Sequence, residues 1–167
     1  MSKEIPLTNG QVTTVDDEFY DMLVAAGPWS FDPDGYPMTS VKEADGRSTT
    51  RRMHQVIMCD VLEIECQTID HRNRDGLDNQ LHNLRPATRS QNQFNAGRRR
   101  DNTSGFKGVH RTSQSTCRPW VARIRVNGRE IHIGYFPTPQ EAADAYDEAA
   151  LKYHGEFACT NAQLQAG

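Results

Sequence analysis

The chain has 167 residues, 36% of them hydrophobic, and a mean hydropathy of -0.75. This length suits one ordinary domain or two small ones, and the low hydrophobic content favours small modules over one large core. No apolar run approaches the roughly 20 residues that a membrane helix needs, and the N-terminus lacks the apolar segment typical of a signal peptide. The four cysteines form no C-x-x-C pair. We therefore expect reduced cysteines in a cytoplasmic protein without a membrane partner.

Charge is unevenly distributed along the chain. The formal net charge is -3, which by itself is a poor argument for a nucleic-acid partner. Residues 51–135, however, hold 15 of the 19 Lys and Arg residues against 8 of the 22 Asp and Glu residues. A basic band of this kind can attract phosphate groups, although a solvated surface with uneven charge explains the same pattern.

Residues 1–52 predict a β-rich supporting segment without a site of its own. Asn9-Gly10 is a strong turn signal, and Gly27-Pro28 is typical of a helix end. The predicted elements are a hairpin (Ile5–Leu7 with Gln11–Val15), a helix capped by Asp16 or Asp17 that carries Phe19, Tyr20, Leu23 and Val24, and two strands (Tyr36–Val41 with Ser48–Arg52) paired across Lys42–Arg47.

Residues 53–97 contain the most informative segment, Thr68–Gln93, which is too polar for a core strand or helix. The predicted elements are a short helix (Met53–Val61, with Met53, Val56 and Ile57 on one face), a strand ending at Asp70 and His71, a polar loop (Arg72–Asn79), and a helix or helical turns from Leu81 to Phe94, interrupted near Pro86.

The polar residues of this segment match the chemistry of phosphodiester cleavage. That reaction needs an activated water and neutralisation of charge at phosphorus, which a divalent ion can supply. Mg²⁺ takes few protein ligands, so Asp70 as an anionic ligand and Asn92 as a carbonyl ligand would suffice. His71 can accept a proton near pH 7, and Asn83 can hold the strand or the histidine in place.

Each of these residues also has a purely structural explanation. Asp-His pairs are common in loops, and Asn83 and Asn92 can cap helices. His54 and His82 are typical surface or packing histidines. Spacing alone therefore leaves a metal-dependent nuclease as one hypothesis among others.

A polar stretch, Phe94–Ser104, predicts the domain boundary. It contains Gly97 and three successive arginines, Arg98, Arg99 and Arg100. We interpret residues 98–104 as a basic linker that lies along DNA, although a solvated charged linker fits the same composition.

Residues 105–161 predict a small module of one sheet and one helix. Trp120–Val126 and Arg129–Phe136 flank Asn127-Gly128, a type I′ turn signal that sets the register of a hairpin, and Phe106–His110 predicts a third strand. The helix begins with a capping box, Thr138-Pro139-Gln140-Glu141, and ends at Gly155. Its predicted apolar stripe is Ala142, Ala145, Tyr146, Ala149 and Tyr153.

The predicted register divides the hairpin into two faces. The apolar face, which we expect to pack on the helix, holds Trp120, Ala122, Ile124, Ile131, Ile133 and Tyr135. The charged face holds Arg123, Arg125, Glu130 and His132. Such a face can be the ordinary polar side of an antiparallel sheet, or it can enter the major groove, where arginine reads guanine. Clustered arginines without matching acids favour DNA.

Beyond these patterns, MHQVIM (Met53–Met58) and TIDHRNRDGLDNQLHNLRPATRSQNQFN (Thr68–Asn95) resemble the HNH endonuclease family, in particular the homing and free-standing HNH nucleases of bacteriophages. Residues 5–36 resemble the leader that commonly precedes this motif. The resemblance implies a ββα-metal finger that grips one divalent ion, Mg²⁺ or alternatively Mn²⁺.

The same resemblance assigns roles to individual residues. Asp70 and Asn92 match the metal ligands, His71 the general base, and Asn83 the asparagine that orients the histidine. His54 matches a recurrent histidine with a structural or phosphate-contacting role. The last motif position is asparagine rather than histidine, which leaves the metal preference open.

Residues 105–161, with GFKGVHR and WVARIRVNGREIHIGYFPTPQEAADAYDEAALKYHGEFACTN, resemble the AP2 DNA-binding domain of plant transcription factors. That resemblance implies a three-stranded sheet packed on one helix, with the sheet in the major groove of double-stranded DNA, and Trp120 at a core-facing position. The residues that we expect to contact DNA, including the basic linker, are Lys107, His110, Arg111, Arg123, Arg125, His132, Arg98, Arg99 and Arg100.

Together the two resemblances predict an α+β, phage-type, site-directed DNA endonuclease in the host cytoplasm. The HNH part would cut, leaving 5′-phosphate and 3′-hydroxyl ends, and the AP2-like part would grip the duplex. A single active centre predicts a monomer that nicks, and no protein partner is implied. One alternative is a DNA-binding regulator with a lapsed nuclease core, and a second is a structural or packaging protein that merely binds nucleic acid.

Overall fold

A computed structural model describes residues 1–42 and 46–166 of the chain. The chain divides into two compact units, Met1–Thr88 and Arg89–Gly167. Each unit combines small antiparallel sheets with short helices, so the predicted α+β class is confirmed. Within the described ranges, the structure contains no helix of the length and apolar character needed to cross a membrane.

The first unit holds three small sheets, formed by β1 with β2, by β3 to β5, and by β6 with β7. A π-helical segment, Val56–Val61, follows α2. The bounds of the other elements are β1 (Ser2–Pro6), β2 (Val12–Asp16), α1 (Asp17–Ala25), β3 (Ser30–Phe31), β4 (Pro37–Lys42), β5 (Ser48–Arg52), α2 (Met53–Gln55), β6 (Thr68–His71) and β7 (Leu84–Ala87).

Most of the predictions for this unit are confirmed. β1 and β2 form the expected hairpin, and Gly10 adopts a φ of +84° in its turn. β4 pairs with β5, and the middle of the loop between them, residues 43–45, lies outside the described residues. Asp16 is the N-cap residue of α1, but its carboxylate accepts a hydrogen bond from the Leu81 backbone N–H at 2.7 Å rather than from the helix.

One prediction for this unit is wrong. Leu84–Ala87 is not helical but forms β7, which pairs antiparallel with β6. The helical interpretation rested on the three-residue spacing of Leu81 and Leu84. This single pair of leucines does not distinguish a helix from a strand. Pro86 is compatible with a strand here because β7 pairs on one side with β6 alone, and proline is tolerated where no ladder hydrogen bond is needed.

The second unit consists of one three-stranded sheet, in the order β10, β9, β8, and helices that pack around it. A 3₁₀ turn, Gly155–Phe157, follows α4. The bounds of the other elements are α3 (Arg89–Asn95), β8 (Val109–Arg111), β9 (Trp120–Val126), β10 (Arg129–Phe136), α4 (Pro139–His154) and α5 (Asn161–Ala166).

The hairpin of β9 and β10 has the predicted bounds, and Asn127 and Gly128 both adopt the positive φ of a type I′ turn. Thr138 is the N-cap of α4 as predicted, because the Glu141 N–H donates to Thr138 Oγ1 at 3.2 Å; the Glu141 carboxylate accepts from the Thr138 hydroxyl at 2.9 Å instead of from its backbone N–H, so the second bond of the predicted capping box differs. The third strand exists but begins later than predicted, at Val109.

A β-bulge corrects the predicted faces of this hairpin. The register holds as far as Arg123 opposite His132, and Ala122 then pairs with Gly134 instead of Ile133. The extra residue places Phe136 in the hydrophobic core and leaves Tyr135 exposed, so Tyr135 does not belong to the apolar face. Tyr153, predicted in the apolar stripe of α4, is likewise exposed.

The predicted linker lies inside the second unit. The Phe94 ring of α3 stacks on His154 with ring centroids 3.7 Å apart, and Lys107 Nζ donates to the carbonyl oxygens of Phe94 and Ala96 at 2.6 Å each. Asn102 Nδ2 donates to the Phe106 carbonyl at 2.7 Å. The second unit therefore includes α3 and begins at Arg89.

Two glycines at positive φ, Gly105 and Gly108, separate two costs of substitution by alanine: the cost of the left-handed backbone and the cost of steric overlap. A Cβ on Gly108 would collide with the Tyr146 ring and lie 2.8 Å from the Arg123 carbonyl oxygen, whereas a Cβ on Gly105 would meet nothing within 4 Å. Gly105→Ala should lower the free energy of unfolding by about 1–2 kcal/mol, the cost of a left-handed alanine. Gly108→Ala should lower it by a further ~1–3 kcal/mol because it overpacks the core. Urea unfolding measures both, and equal losses would contradict this account.

Candidate functional site

The acidic residue of the predicted motif forms a buried ion pair across two strands. Asp70 lies in β6 directly opposite Arg85 in β7. Both Nε and Nη2 of Arg85 lie 2.7 Å from Asp70 Oδ2. Asp70 is 3% exposed and Arg85 5% exposed. Each charge thus offsets part of the desolvation cost of the other.

His71 follows Asp70 at the end of β6 and is buried. Its Nε2 lies 3.3 Å from Asn79 Oδ1. Asn79 Nδ2 donates to Thr13 Oγ1 at 2.9 Å and to the Gly76 carbonyl at 3.0 Å, so the amide oxygen is the atom that faces the ring. An amide oxygen can only accept, which assigns the hydrogen of the neutral imidazole to Nε2 and the lone pair to Nδ1.

Asn79 is a site residue that the sequence did not reveal. It is fully buried, yet in the sequence it is one of several polar residues at the end of a polar loop. Its partner Thr13 stands on β2, far away along the chain. No local pattern signals such a contact, because the contact depends on how the loop crosses the hairpin.

The rings of His71, His54 and Tyr36 form a cluster of three aromatic side chains. The His54 ring lies 5.0 Å from the His71 ring, and the Tyr36 ring lies 5.1 Å from His54 and 5.5 Å from His71. Burial lowers the pKa of His71 below its ordinary value. Burial, with added repulsion from His71 and Arg52, lowers the pKa of His54 to about 3. Both imidazoles are therefore neutral at pH 7.

Asn83 closes the loop between β6 and β7. Its Oδ1 accepts from the Asn73 N–H at 2.9 Å, and its Nδ2 donates to the Asp78 carbonyl at 2.7 Å. Its backbone carbonyl accepts from the Arg72 N–H at 2.8 Å. The side chain thus holds the loop that follows His71, while the ring of His71 is contacted by Asn79.

Backbone hydrogen bonds attach this loop to the N-terminal hairpin. The Thr14 N–H donates to the Leu77 carbonyl, and the Asn79 N–H donates to the Thr14 carbonyl, each at 2.8 Å. The loop also passes tightly over Tyr36, because a Cβ on Gly76 would collide with the Gly35 carbonyl oxygen and the Tyr36 ring. Residues of the N-terminal segment thus contact the loop that follows His71.

The predicted metal ligands lie in different units. Asp70 belongs to the first unit, and Asn92 lies half-buried on α3 in the second. The donors in question, a carboxylate oxygen and an amide oxygen, are hard ligands that suit Mg²⁺, which keeps several of its waters. In the described parts of the chain, no three or more His, Cys, Asp or Glu side chains gather into a metal-binding group.

The charged face of the second unit presents the predicted arginines. Arg123 Nη1 lies 2.9 Å from Glu130 Oε1 in an exposed ion pair, and the side chain of Arg125 is exposed. The bulge adds Tyr135 to this face, with its ring 4.7 Å from His132. The face therefore combines cationic and aromatic groups, which suits contact with nucleic acid.

The remaining residues predicted to bind DNA differ in their surroundings. The Lys107 ammonium group stabilises the end of α3 through the two carbonyl contacts described above, and His110 is half-buried, which lowers its pKa. Arg111 lines an open cleft of about 580 Å³ together with Ser and Thr side chains of the β8–β9 loop. Arg98 donates to the Gly105 carbonyl, Arg99 lies 3.4 Å from Asp101, and Arg100 is exposed.

Comparison with known proteins decides the family. The chain is 30% identical over 142 residues to an uncharacterized HNH endonuclease of Acanthamoeba polyphaga mimivirus, an alignment that covers 83% of this chain and 69% of the viral protein. The chain belongs to the HNH endonuclease family. No family model and no solved structure matches this HNH-family chain.

Other similarities cover about a third of the HNH-family chain. It is 47% identical over 60 residues to an AP2-like ethylene-responsive transcription factor of Oryza sativa subsp. japonica, covering 35% of this chain and 9% of the plant protein. It is 47% identical over 58 residues to dehydration-responsive element-binding protein 2A of Arabidopsis thaliana, covering 34% and 16%. The predicted resemblances to HNH endonucleases and to AP2 proteins are thus both confirmed at this level.

The buried state of His54 predicts a dependence of stability on pH. The unfolded chain protonates this histidine near its ordinary pKa of 6.5, whereas the folded ring stays neutral down to about 3. Between these values the unfolded state binds more protons, so stability falls as the pH falls, by at most about 1.4 kcal/mol per pH unit for this group. Urea unfolding between pH 7 and 4 should show a shallower slope for His54→Gln than for the wild type.

The control for that measurement is His82→Gln, which changes an exposed histidine of the same unit. Its slope should equal that of the wild type. The wild-type slope will also include His71 and His154, whose pKa values are lowered by burial, so His54→Gln should reduce the slope without abolishing it. An unchanged slope in His54→Gln would contradict the assignment of a neutral, buried ring.

Proposed function

We propose that this HNH-family chain is a metal-dependent endonuclease that nicks double-stranded DNA at a preferred site. The observation that supports the proposal most directly is the pairing of a buried, neutral His71 with an adjacent aspartate. Its tautomer is set by Asn79, and the loop that follows it is fastened by Asn83. A buried imidazole that stays neutral at pH 7 can accept a proton, which is what a general base must do.

In this proposal His71 is the general base. Its Nε2 carries the hydrogen that Asn79 accepts, so Nδ1 is the nitrogen that takes a proton from the attacking water. Burial keeps the ring unprotonated at and below neutral pH. Asn83 acts indirectly. Its side chain holds the loop from Arg72 to Asn79 in the conformation that places Asn79 against the His71 ring.

Asp70 and Asn92 are the proposed ligands of a divalent ion, with Mg²⁺ as the first choice and Mn²⁺ as the alternative. When bound, such an ion would neutralise charge on the phosphate and stabilise the leaving oxygen. Asp70 is already held rigidly by Arg85, so its carboxylate needs little reorganisation to act as a ligand. The proposed products carry 5′-phosphate and 3′-hydroxyl ends.

The second unit is the proposed DNA-reading part. Its exposed sheet face offers Arg123, Arg125 and His132 to the major groove, where arginine forms two hydrogen bonds with guanine. The aromatic Tyr135 lies on the same face. We propose that the chain acts on DNA as a monomer, and that its basic segment Arg98–Arg100 adds contacts with the phosphate backbone.

A non-catalytic DNA-binding regulator is the alternative, and the plant relatives named as transcription factors favour it. Incubation of supercoiled plasmid with the full chain separates the two functions. An endonuclease should convert the plasmid to the nicked form in Mg²⁺ and stop in EDTA. A regulator should bind the plasmid and leave it intact under both conditions.

His71→Ala should reduce the nicking rate constant by about 10²–10⁴-fold, the usual contribution of a general base. DNA affinity, measured by fluorescence anisotropy with a short duplex, should stay within about twofold because the base is not an anchor for the duplex. His82→Ala, at an exposed position, is the matched control and should nick at the wild-type rate. Full nicking activity in His71→Ala would contradict the assigned role.

Arg123→Ala should weaken binding to the preferred sequence by about 1–3 kcal/mol and reduce discrimination between sequences. Arg129→Ala is the matched control, because it removes the same charge from the turn end of β10 and should weaken binding to all duplexes alike. Competition binding with the preferred and a scrambled duplex measures both effects. Identical discrimination in the two variants would place the reading surface elsewhere.

A further inference from the structure

A hydrogen bond joins the loop between β8 and β9 to the charged face of the second unit. The Tyr135 hydroxyl donates to Gln114 Oε1 at 2.8 Å, and both residues are exposed. Tyr135 lies on this face only because of the β-bulge in β10, which moves it away from the predicted apolar face. The loop therefore adds an amide side chain beside the proposed DNA-reading residues.

The register of the sheet shows where this amide lies relative to the arginines. His110 and Tyr135 are the partners of Val121 in the two neighbouring strands, and Arg123 follows two residues along β9 on the same face. Val121 is completely buried, so neighbouring side chains cover it on this face as well. Because Tyr135 holds Gln114, the amide lies at the row of residues next to Arg123.

The backbone of the loop is held by its own hydrogen bonds. The Thr112 N–H donates to the Pro119 carbonyl at 2.8 Å, and the Gln114 N–H donates to Thr112 Oγ1 at 3.2 Å. The backbone of Gln114 is thus fixed within the loop, and its amide oxygen is held by Tyr135. A side chain that is positioned in advance loses little conformational freedom when it binds a ligand.

A glutamine amide matches the edge of adenine in the major groove. The amide oxygen accepts from the adenine N6 amino group, and the amide N–H donates to N7. The hydrogen bond from Tyr135 uses one of the two lone pairs of Gln114 Oε1. The exposed amide can therefore form both contacts with adenine while Tyr135 holds it in place.

We propose that Gln114, positioned by Tyr135, is a further base-reading residue that recognises an adenine in the major groove, beside the base contacted by Arg123. This inference rests on the proposed function, because it takes the charged face as the surface that reads DNA. It assigns a role to two residues that the sequence did not place among the DNA contacts.

The test is selection from a library of random duplexes by the full chain, in EDTA so that metal-dependent cleavage is prevented. Gln114→Ala should lose the preference for one adenine of the selected motif, at a position other than the one that Arg123→Ala affects. Its affinity for the wild-type motif should fall by about 10-fold to 100-fold. Gln114→Glu should prefer cytosine at the same position, because a carboxylate accepts from the cytosine N4 amino group.

Two further variants separate positioning from base contact. Tyr135→Phe removes the hydroxyl and keeps the ring, so it should reduce the adenine preference by less than Gln114→Ala does and leave the other positions unchanged. Gln140→Ala, at an exposed position near the start of α4, is the matched control and should select the wild-type motif. Replacing the adenine by 7-deazaadenine removes the N7 acceptor and should weaken binding by the wild type but not by Gln114→Ala.

The outcomes separate this inference from the proposed function. If Gln114→Ala selects the wild-type motif unchanged, the inference is wrong and the proposed endonuclease stands. Equal weakening of binding to all duplexes would indicate a phosphate contact and would also overturn the inference. Full adenine preference in Tyr135→Phe would contradict the positioning role.

If the wild type selects no motif, the proposed site preference and the inference both fall, and plasmid nicking still decides catalysis. If circular dichroism shows that Gln114→Ala does not fold, Gln114→Glu decides. An adenine preference that persists in Gln114→Glu overturns the inference.

Discussion

The need to satisfy buried polar groups holds the first unit together around its candidate site. In the loop between β6 and β7, Leu77 and Leu81 pack against the hydrophobic core, but most of the other side chains are polar. Among these, Asn79 and Asn83 are buried and use their amide groups on partners in the loop and in β2. A buried amide without partners is costly, so only one path of the loop satisfies both residues.

The same low-dielectric interior decides the charge states of the site. Asp70 forms an ion pair with Arg85, whereas burial lowers the pKa values of His54 and His71 and keeps both imidazoles neutral at pH 7. General-base chemistry requires an imidazole that is unprotonated at the working pH. The fold thus provides the protonation states before any substrate is present.

In the second unit, a segment of the nuclease motif is integrated with the predicted DNA-binding sheet. The helix that carries Asn92 is fastened by the stack of Phe94 on His154 and by the ammonium group of Lys107. His154 in turn contacts the Arg125 carbonyl of β9 through Nε2, at 2.9 Å. These contacts fix the position of Asn92 relative to the sheet of the second unit, and Lys107 contributes to them.

The sequence by itself determined the elements whose signals are local. Asn127-Gly128 defined both strands of the second hairpin to the residue, Thr138 and Pro139 defined the start of α4, and Asp70 and His71 stood out as a carboxylate beside a histidine in a polar segment. Each of these signals acts within a few residues, where backbone geometry and hydrogen bonding leave few alternatives.

Tertiary structure decided what depends on distant partners. Leu84–Ala87 became a strand because β6 was available to pair with it, and the bulge at Gly134 moved Phe136 into the core in place of Tyr135. Asn79 and Arg85 joined the site only because the chain brings Thr13 and Asp70 beside them. Such contacts arise from the balance of packing and buried polar groups over the whole unit, which no short window of sequence contains.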